Sequence, residues 1–98
     1  MAVKLGYLTL LQARPDKSDE LAAFLEQGRG LAEAEEGTVT WYAFKVDDTT
    51  YGVFDSFENE DGRQAHINGE IAKGLAQVGG DLLAKDPEIK PVDLIAVK

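Results

Sequence analysis

The chain has 98 residues, 44% apolar and 29% charged, with ten basic against eighteen acidic side chains for a net charge of −8. That size supports one small core in a single domain over residues 1–98, and the composition excludes a disordered or fibrous chain. The negative charge repels phosphate backbones and anionic lipid, excluding nucleic acid and membrane as partners, and the absence of cysteine excludes disulfides, thiolate nucleophiles and zinc–sulfur centres.

The first strand is expected over Val3 to Ala13, with Leu5, Tyr7, Thr9 and Leu11 on one face and Leu8 and Leu10 on the other. Pro15 and Asp16 end it. Ser18 can cap a helix from Asp19 to about Glu35, whose apolar stripe is Leu21, Phe24, Leu25, Gly28, Leu31 and Ala32. Gly28 and Gly30 weaken that helix by about 1 kcal/mol each relative to alanine. Glu33, Glu35 and Glu36 oppose the dipole at its end, which favours fraying, and Gly37 suits a C′ stop. A second strand, Thr38 to Val46, is rich in β-branched and aromatic residues. Asp47 to Thr49 turn the chain into a third strand, Thr50 to Glu58, closing a hairpin.

Asn59 is a good N-cap, and Glu60 and Asp61 favour a helix's first turn. Helical character continues in pieces over Asp61 to Asn68, Glu70 to Val78 and Asp81 to Lys85, separated by Gly69 and the Gly79–Gly80 pair. After Pro87 and Pro91 a last strand is expected over Val92 to Val97. The order strand, helix, strand, strand, helix, strand predicts an α+β, ferredoxin-like β-α-β-β-α-β chain, an antiparallel four-stranded sheet with helices on one face.

Such a sheet should show water a polar second face, but its strands are apolar on both. An apolar face of that extent marks an interaction site, and packing two copies face to face is the economical way to cover it. Side chains from loops or the C-terminal helices are the alternative cover. Leu8, Leu10, Tyr42, Phe44, Phe54, Ile95 and Val97 form the more uniformly apolar set and suit the helix-covered core. Tyr7, Thr9, Trp41, Asp55 and Phe57 mix aromatic bulk with hydroxyls and a carboxylate, the composition of a small-molecule pocket. Asp55 in a salt bridge at the dimer seam fits as well.

Chemistry centres on Thr50 to Gly69, which holds the only histidine. His66 follows a strand-to-helix passage and titrates near neutrality without help. It is either a general base or a structural histidine, just as Arg63 is either a ligand-binding cation or a surface ion pair with Glu60. No dinucleotide fingerprint, phosphate loop, nucleophile elbow or Cys–His pair is present. Glu58, Glu60 and Asp61 diverge from His66 on a strand end and a helix start, so no metal site is expected.

The element order, the Glu36–Gly37 stop before the Trp41–Tyr42 strand, and arginine then histidine at Arg63 and His66 after an aromatic strand resemble the antibiotic biosynthesis monooxygenase family. That likeness covers nearly the whole chain. It implies a dimeric α/β barrel, a homodimer, and cofactor-independent oxidation of a small aromatic or quinol-like molecule by dioxygen. The resemblance further implies His66 as the base, Trp41, Tyr7, Phe57 and Tyr42 stacking on a flat ring, and Asp55 or Arg63 holding a hydroxyl or oxyanion. Haem-degrading relatives carry a tryptophan on the helix near the histidine; here the only tryptophan is Trp41, on a strand. Two other readings share the scaffold: a non-catalytic ligand-binding or stress-related barrel, and a cofactor-free isomerase or decarboxylase. The start of the chain, MAVKLGYLTLL, lacks the pattern of a signal peptide, and no stretch reaches the roughly 20 apolar residues of a membrane span, so a cytoplasmic location is expected.

Overall fold

The computed structural model describes residues 3–98. Its elements in chain order are β1 (Leu5–Gln12), α1 (Ser18–Glu33), β2 (Thr38–Lys45), β3 (Thr50–Phe57), α2 (Glu60–Ile67), α3 (Glu70–Leu82) and β4 (Glu88–Asp93). The strands form one antiparallel sheet in the order β2-β3-β1-β4, the ferredoxin-like arrangement expected from the sequence. Among the described residues no helix is long and apolar enough to cross a membrane.

The β2–β3 hairpin closes where Asp47 accepts the N–H groups of Thr49 and Thr50 at 3.1 and 2.8 Å. The Thr49 N–H bond leads in holding this carboxyl below its ordinary range. Ser18 does not cap α1 as expected. Its hydroxyl donates to the Asp48 carbonyl at 2.7 Å, tying the helix start to the hairpin instead. Asn59 does cap α2, accepting the Gly62 N–H at 3.0 Å.

The helices cover one face of the sheet. Beneath them Leu11, Tyr51 and Val53 pack against Leu21 and Leu25 of α1 and against Leu82 and Leu83. This reverses the expected assignment of faces. Tyr7, Asp55 and Phe57 lie on the covered side with Trp41, and Asp55 is only 2% exposed. The more uniformly apolar set, Leu8, Leu10, Tyr42, Phe44 and Phe54, lies on the other side, where Tyr42 is 60% exposed. Hydrophobicity alone does not decide the face, because a buried charge with partners can occupy a core position that an apolar residue leaves free.

The last strand also differs. β4 runs four residues earlier than expected and includes Pro91, paired with Tyr7. An edge strand tolerates proline because part of its N–H row points away from its neighbour. Ile95 and Val97 then fall beyond the strand and are exposed. Nor do Asp81 to Lys85 form a separate helix: α3 continues through Gly79–Gly80, and Leu83 bridges to Ala13 beside β1.

Two glycines set the position of α2. A Cβ on Gly37 would lie 2.7 Å from the Gly62 Cα, and one on Gly62 would lie 2.8 Å from the Gly37 carbonyl oxygen. Backbone therefore packs directly on backbone between the α1–β2 connection and the first turn of α2. Gly37 has no positive φ, so close approach, not the left-handed C′ role, is what requires glycine there. The contact predicts opposite signs for two helix glycines. Gly62→Ala should lose about 1–3 kcal/mol to the clash. At Gly30, exposed in α1, an added Cβ meets nothing within 4 Å, so Gly30→Ala should gain about 0.5–1 kcal/mol. Thermal melts should move several degrees down and up respectively.

Candidate functional site

The site is assembled where three segments meet on the covered face. β3 delivers Asp55 and Phe57, α2 delivers Arg63 and His66, and the chain just after α1 delivers Glu35. The Gly37–Gly62 contact holds the last two segments together. Helix α1 ends at Glu33, the first of the three acidic residues that oppose its dipole and short of Glu35 and Glu36, and Glu35 turns inward.

His66 is gripped at both ring nitrogens. Nδ1 lies 2.6 Å from Glu35 Oε1, and Nε2 lies 2.7 Å from Asp55 Oδ2. Ionised carboxylates only accept, so both nitrogens carry hydrogen and the ring is an imidazolium. Burial pushes its pKa down, but the hydrogen bonds and charges of Asp55 and Glu35 outweigh burial and raise it to about 9. A histidine poised near neutrality, as the sequence suggests, is therefore not what the fold produces. Glu35 Oε1 also accepts the Thr38 hydroxyl at 2.7 Å. Asp55 Oδ1 and Trp41 Nε1 are buried without a partner.

Aromatic rings wall the cluster. Phe57, fully buried, lies 5.3 Å from the His66 ring and packs edge-on against Tyr7 at 6.0 Å. The Arg63 guanidinium stands 5.4 Å from the centre of the Tyr7 ring. It also binds Glu60 at 2.6 and 3.1 Å, which holds the Glu60 carboxyl below its usual range. Trp41 is the cross-strand partner of Asp55, and its six-membered ring fits against Gly28 of α1, where an added Cβ would be 3.3 Å away. Tyr7, Asp55, Phe57, Arg63 and His66 are thus brought together, with Trp41 adjoining. Tyr42 is on the opposite face of the sheet. Glu35 escaped sequence reasoning: an acidic run at a helix end reads as solvated charge, and only the tertiary contact distinguishes it.

A groove of about 780 Å³ opens between α1 and β2, lined by Ala22, Leu25, Arg29, Trp41 and Ala43 among others. The His66 cluster does not line it, and Trp41 stands between the two. Among the described residues no group of three or more His, Asp or Glu side chains is placed to hold a metal ion.

The pH dependence follows from the ion cluster. The folded pKa of His66 exceeds its ordinary value of 6.5. Its stabilising contribution should be fully present below about pH 6.5 and vanish as pH rises through about 9, a loss on the order of 3 kcal/mol. Glu35→Gln removes one of the two charges and should bring the high-pH midpoint back toward 6.5. Denaturant midpoints measured across this range check both statements.

No family model and no curated protein matches the chain. Solved structures do. A protein of unknown function from Nitrosomonas europaea is 45% identical over 98% of this chain and 93% of its own, with a TM-score of 0.96. Another Nitrosomonas europaea protein, provisionally named an antibiotic biosynthesis monooxygenase, has a TM-score of 0.85 at 10% identity, covering 97% of this chain and 93% of its own. One from Caulobacter crescentus with the same provisional name has a TM-score of 0.79 at 20% identity, covering 96% and 92%. At 10% and 20% identity, the likeness to these two is one of fold. The chain therefore belongs to one family with the first of these, the Nitrosomonas europaea protein of unknown function, and its fold is that of the antibiotic biosynthesis monooxygenases.

Proposed function

We propose that this chain is a cofactor-independent monooxygenase that oxidises a small phenol- or hydroquinone-like molecule with dioxygen, working as a homodimer in the cytoplasm. The observation that carries the reading is the buried Glu35–His66–Asp55 cluster, walled by Tyr7 and Phe57 and adjoined by Trp41. Apolar walls with a few oriented polar groups suit a flat aromatic ring bearing hydroxyls. The fold shared with proteins provisionally named as such monooxygenases supports the same class.

Deprotonating a phenol raises the electron density of its ring, so that the ring itself can give electrons to dioxygen. In the overall reaction one oxygen atom enters the ring, the other leaves as water with two hydrogens from the phenol, and a quinone remains. The chain's tasks are to hold the ring, exclude water and accept the hydroxyl proton. His66, already protonated at both nitrogens, orients Asp55 and Glu35 in that machinery, with Asp55 and Arg63 as its polar contacts to the ligand and Tyr7, Phe57 and Trp41 as its walls. Tyr42 lies on the opposite face of the sheet from this cluster; it belongs to the surface that pairs two copies. There Leu8, Leu10, Tyr42, Phe44 and Phe54 form an apolar face that a second sheet can cover.

Oxygen uptake tests the reaction. With hydroquinones and naphthols the protein should consume one dioxygen per quinone formed, and none should form anaerobically. Product that appears without dioxygen contradicts the reading and favours an isomerase or decarboxylase. Saturable binding with no product at all favours a ligand-binding protein. The assembly is tested by mass in solution: the wild type should be a dimer, and Phe44→Lys should dissociate it at least about 100-fold more readily by burying an unpaired charge.

A further inference from the structure

The sheet order leaves β2 paired with β3 alone, so one row of its backbone N–H and C=O groups has no strand beside it. Such an edge is a template for another strand, and proteins blunt theirs with charge, proline, a bulge or a cover. β2 has little of this protection. Its eight residues contain no proline and only Lys45 as a charge, and its one irregularity lies near its start, between Thr38 and Thr40. The groove of about 780 Å³ runs along this strand, between it and α1.

The opposite edge of the sheet carries a matching piece. Beyond β4 the chain continues through Leu94, Ile95, Ala96 and Val97 to Lys98, apolar on both faces of an extended segment. The Leu94 N–H is still tied to the Lys4 carbonyl at 2.7 Å, but Ile95 is fully exposed and Val97 largely so. The chain's own β2 is out of reach. It lies three strand spacings from β4, about 14 Å, and the five residues Leu94–Lys98 span at most about 17 Å. Crossing the sheet uses nearly all of them and leaves none to run along β2. A second copy is free of that limit, and in a two-fold pair each copy offers one segment and one edge. Charge agrees: among the described residues Asp19 and Glu26 at the groove have no ion-pair partner, and neither has Lys98.

We infer that Leu94–Lys98 of a second copy adds as an extra strand to the free edge of β2 and roofs the groove beside α1, the two copies trading these segments reciprocally. Main-chain hydrogen bonds hold the added strand, and its alternate side chains pack on either side of the edge. One row lies beside Trp41 and Ala43 in the groove, and the other lies beside Tyr42 and Phe44, continuous with the apolar sheet face. The surroundings of Trp41 are thus completed only in the pair. The inference rests on the homodimer reading above and is independent of the oxygenase reaction.

Two measurements test it, and a chain with one tryptophan and no cysteine suits both. Ile95 touches only solvent in its own copy, so Ile95→Asp should leave the fold of that copy intact and act on assembly. It should weaken the dimer at least about 10-fold in sedimentation, the effect of losing one buried aliphatic side chain. Trp41 emission should move to the red, and the amides of Trp41 to Lys45 should lose protection from hydrogen exchange while those of β1 and β3 keep theirs. For placement, a copy with a nitroxide on Lys98→Cys is mixed with unmodified ¹⁵N-labelled protein. The nitroxide should broaden β2 amides in the ¹⁵N copy, which carries no label of its own. A dimer unaffected by Ile95→Asp, with β2 amides left sharp by the nitroxide, overturns the inference and leaves a homodimer joined by the sheet faces alone. A wild type that stays monomeric overturns both.

Discussion

One imidazolium shared by two carboxylates joins the segment after α1, the third strand and the second helix. Each carboxylate would be costly to bury alone, and the ring would lose its charge if only burial acted on it. Together they form a cluster of net charge −1 whose hydrogen bonds run across three elements distant in sequence. Removing any member exposes the others to the desolvation cost that the trio offsets. The cluster therefore acts on the tertiary arrangement more than on any single helix or strand.

The same constraint explains the shape of its surroundings. For Glu35 to reach His66, the end of α1 must come down onto α2, and the Gly37–Gly62 contact lets the two backbones meet without side chains between them. Gly69 serves the same end: a Cβ there would lie 2.8 Å from Glu35 Oε2. Phe57 then fills the space beneath the ring, and Arg63, held by Glu60, closes over Tyr7. Asp55 Oδ1 and Trp41 Nε1 are the buried polar atoms that these contacts leave without a partner.

Element order and type were legible in the sequence because the periodicities were long and the turn signals local. The strand-to-helix passage at Phe57 to His66, the Asn59 cap and the Asp47 turn all depend on neighbours within a few residues. The choice of sheet face was not legible. With both faces apolar, alternation cannot say which the helices cover, and the deciding group was Asp55, whose burial depends on a histidine eleven positions later. Glu35 is unreadable for the same reason, and the start of β4 is hidden because Pro91 reads as a terminator unless the strand is known to be an edge. Tyr42, grouped with the site through its neighbour Trp41, points the other way by the alternation of its own strand.

The protonation of His66 at neutral pH is the most direct measure of this account. In ¹H–¹⁵N spectra of the histidine-labelled protein at pH 7, both ring nitrogens should show the shifts of protonated nitrogen, with strongly downfield N–H protons from short charge-assisted bonds. The signals should change only near pH 9. A ring with one bare nitrogen at pH 7, titrating near its ordinary 6.5, would contradict the paired-carboxylate cluster and everything built upon it.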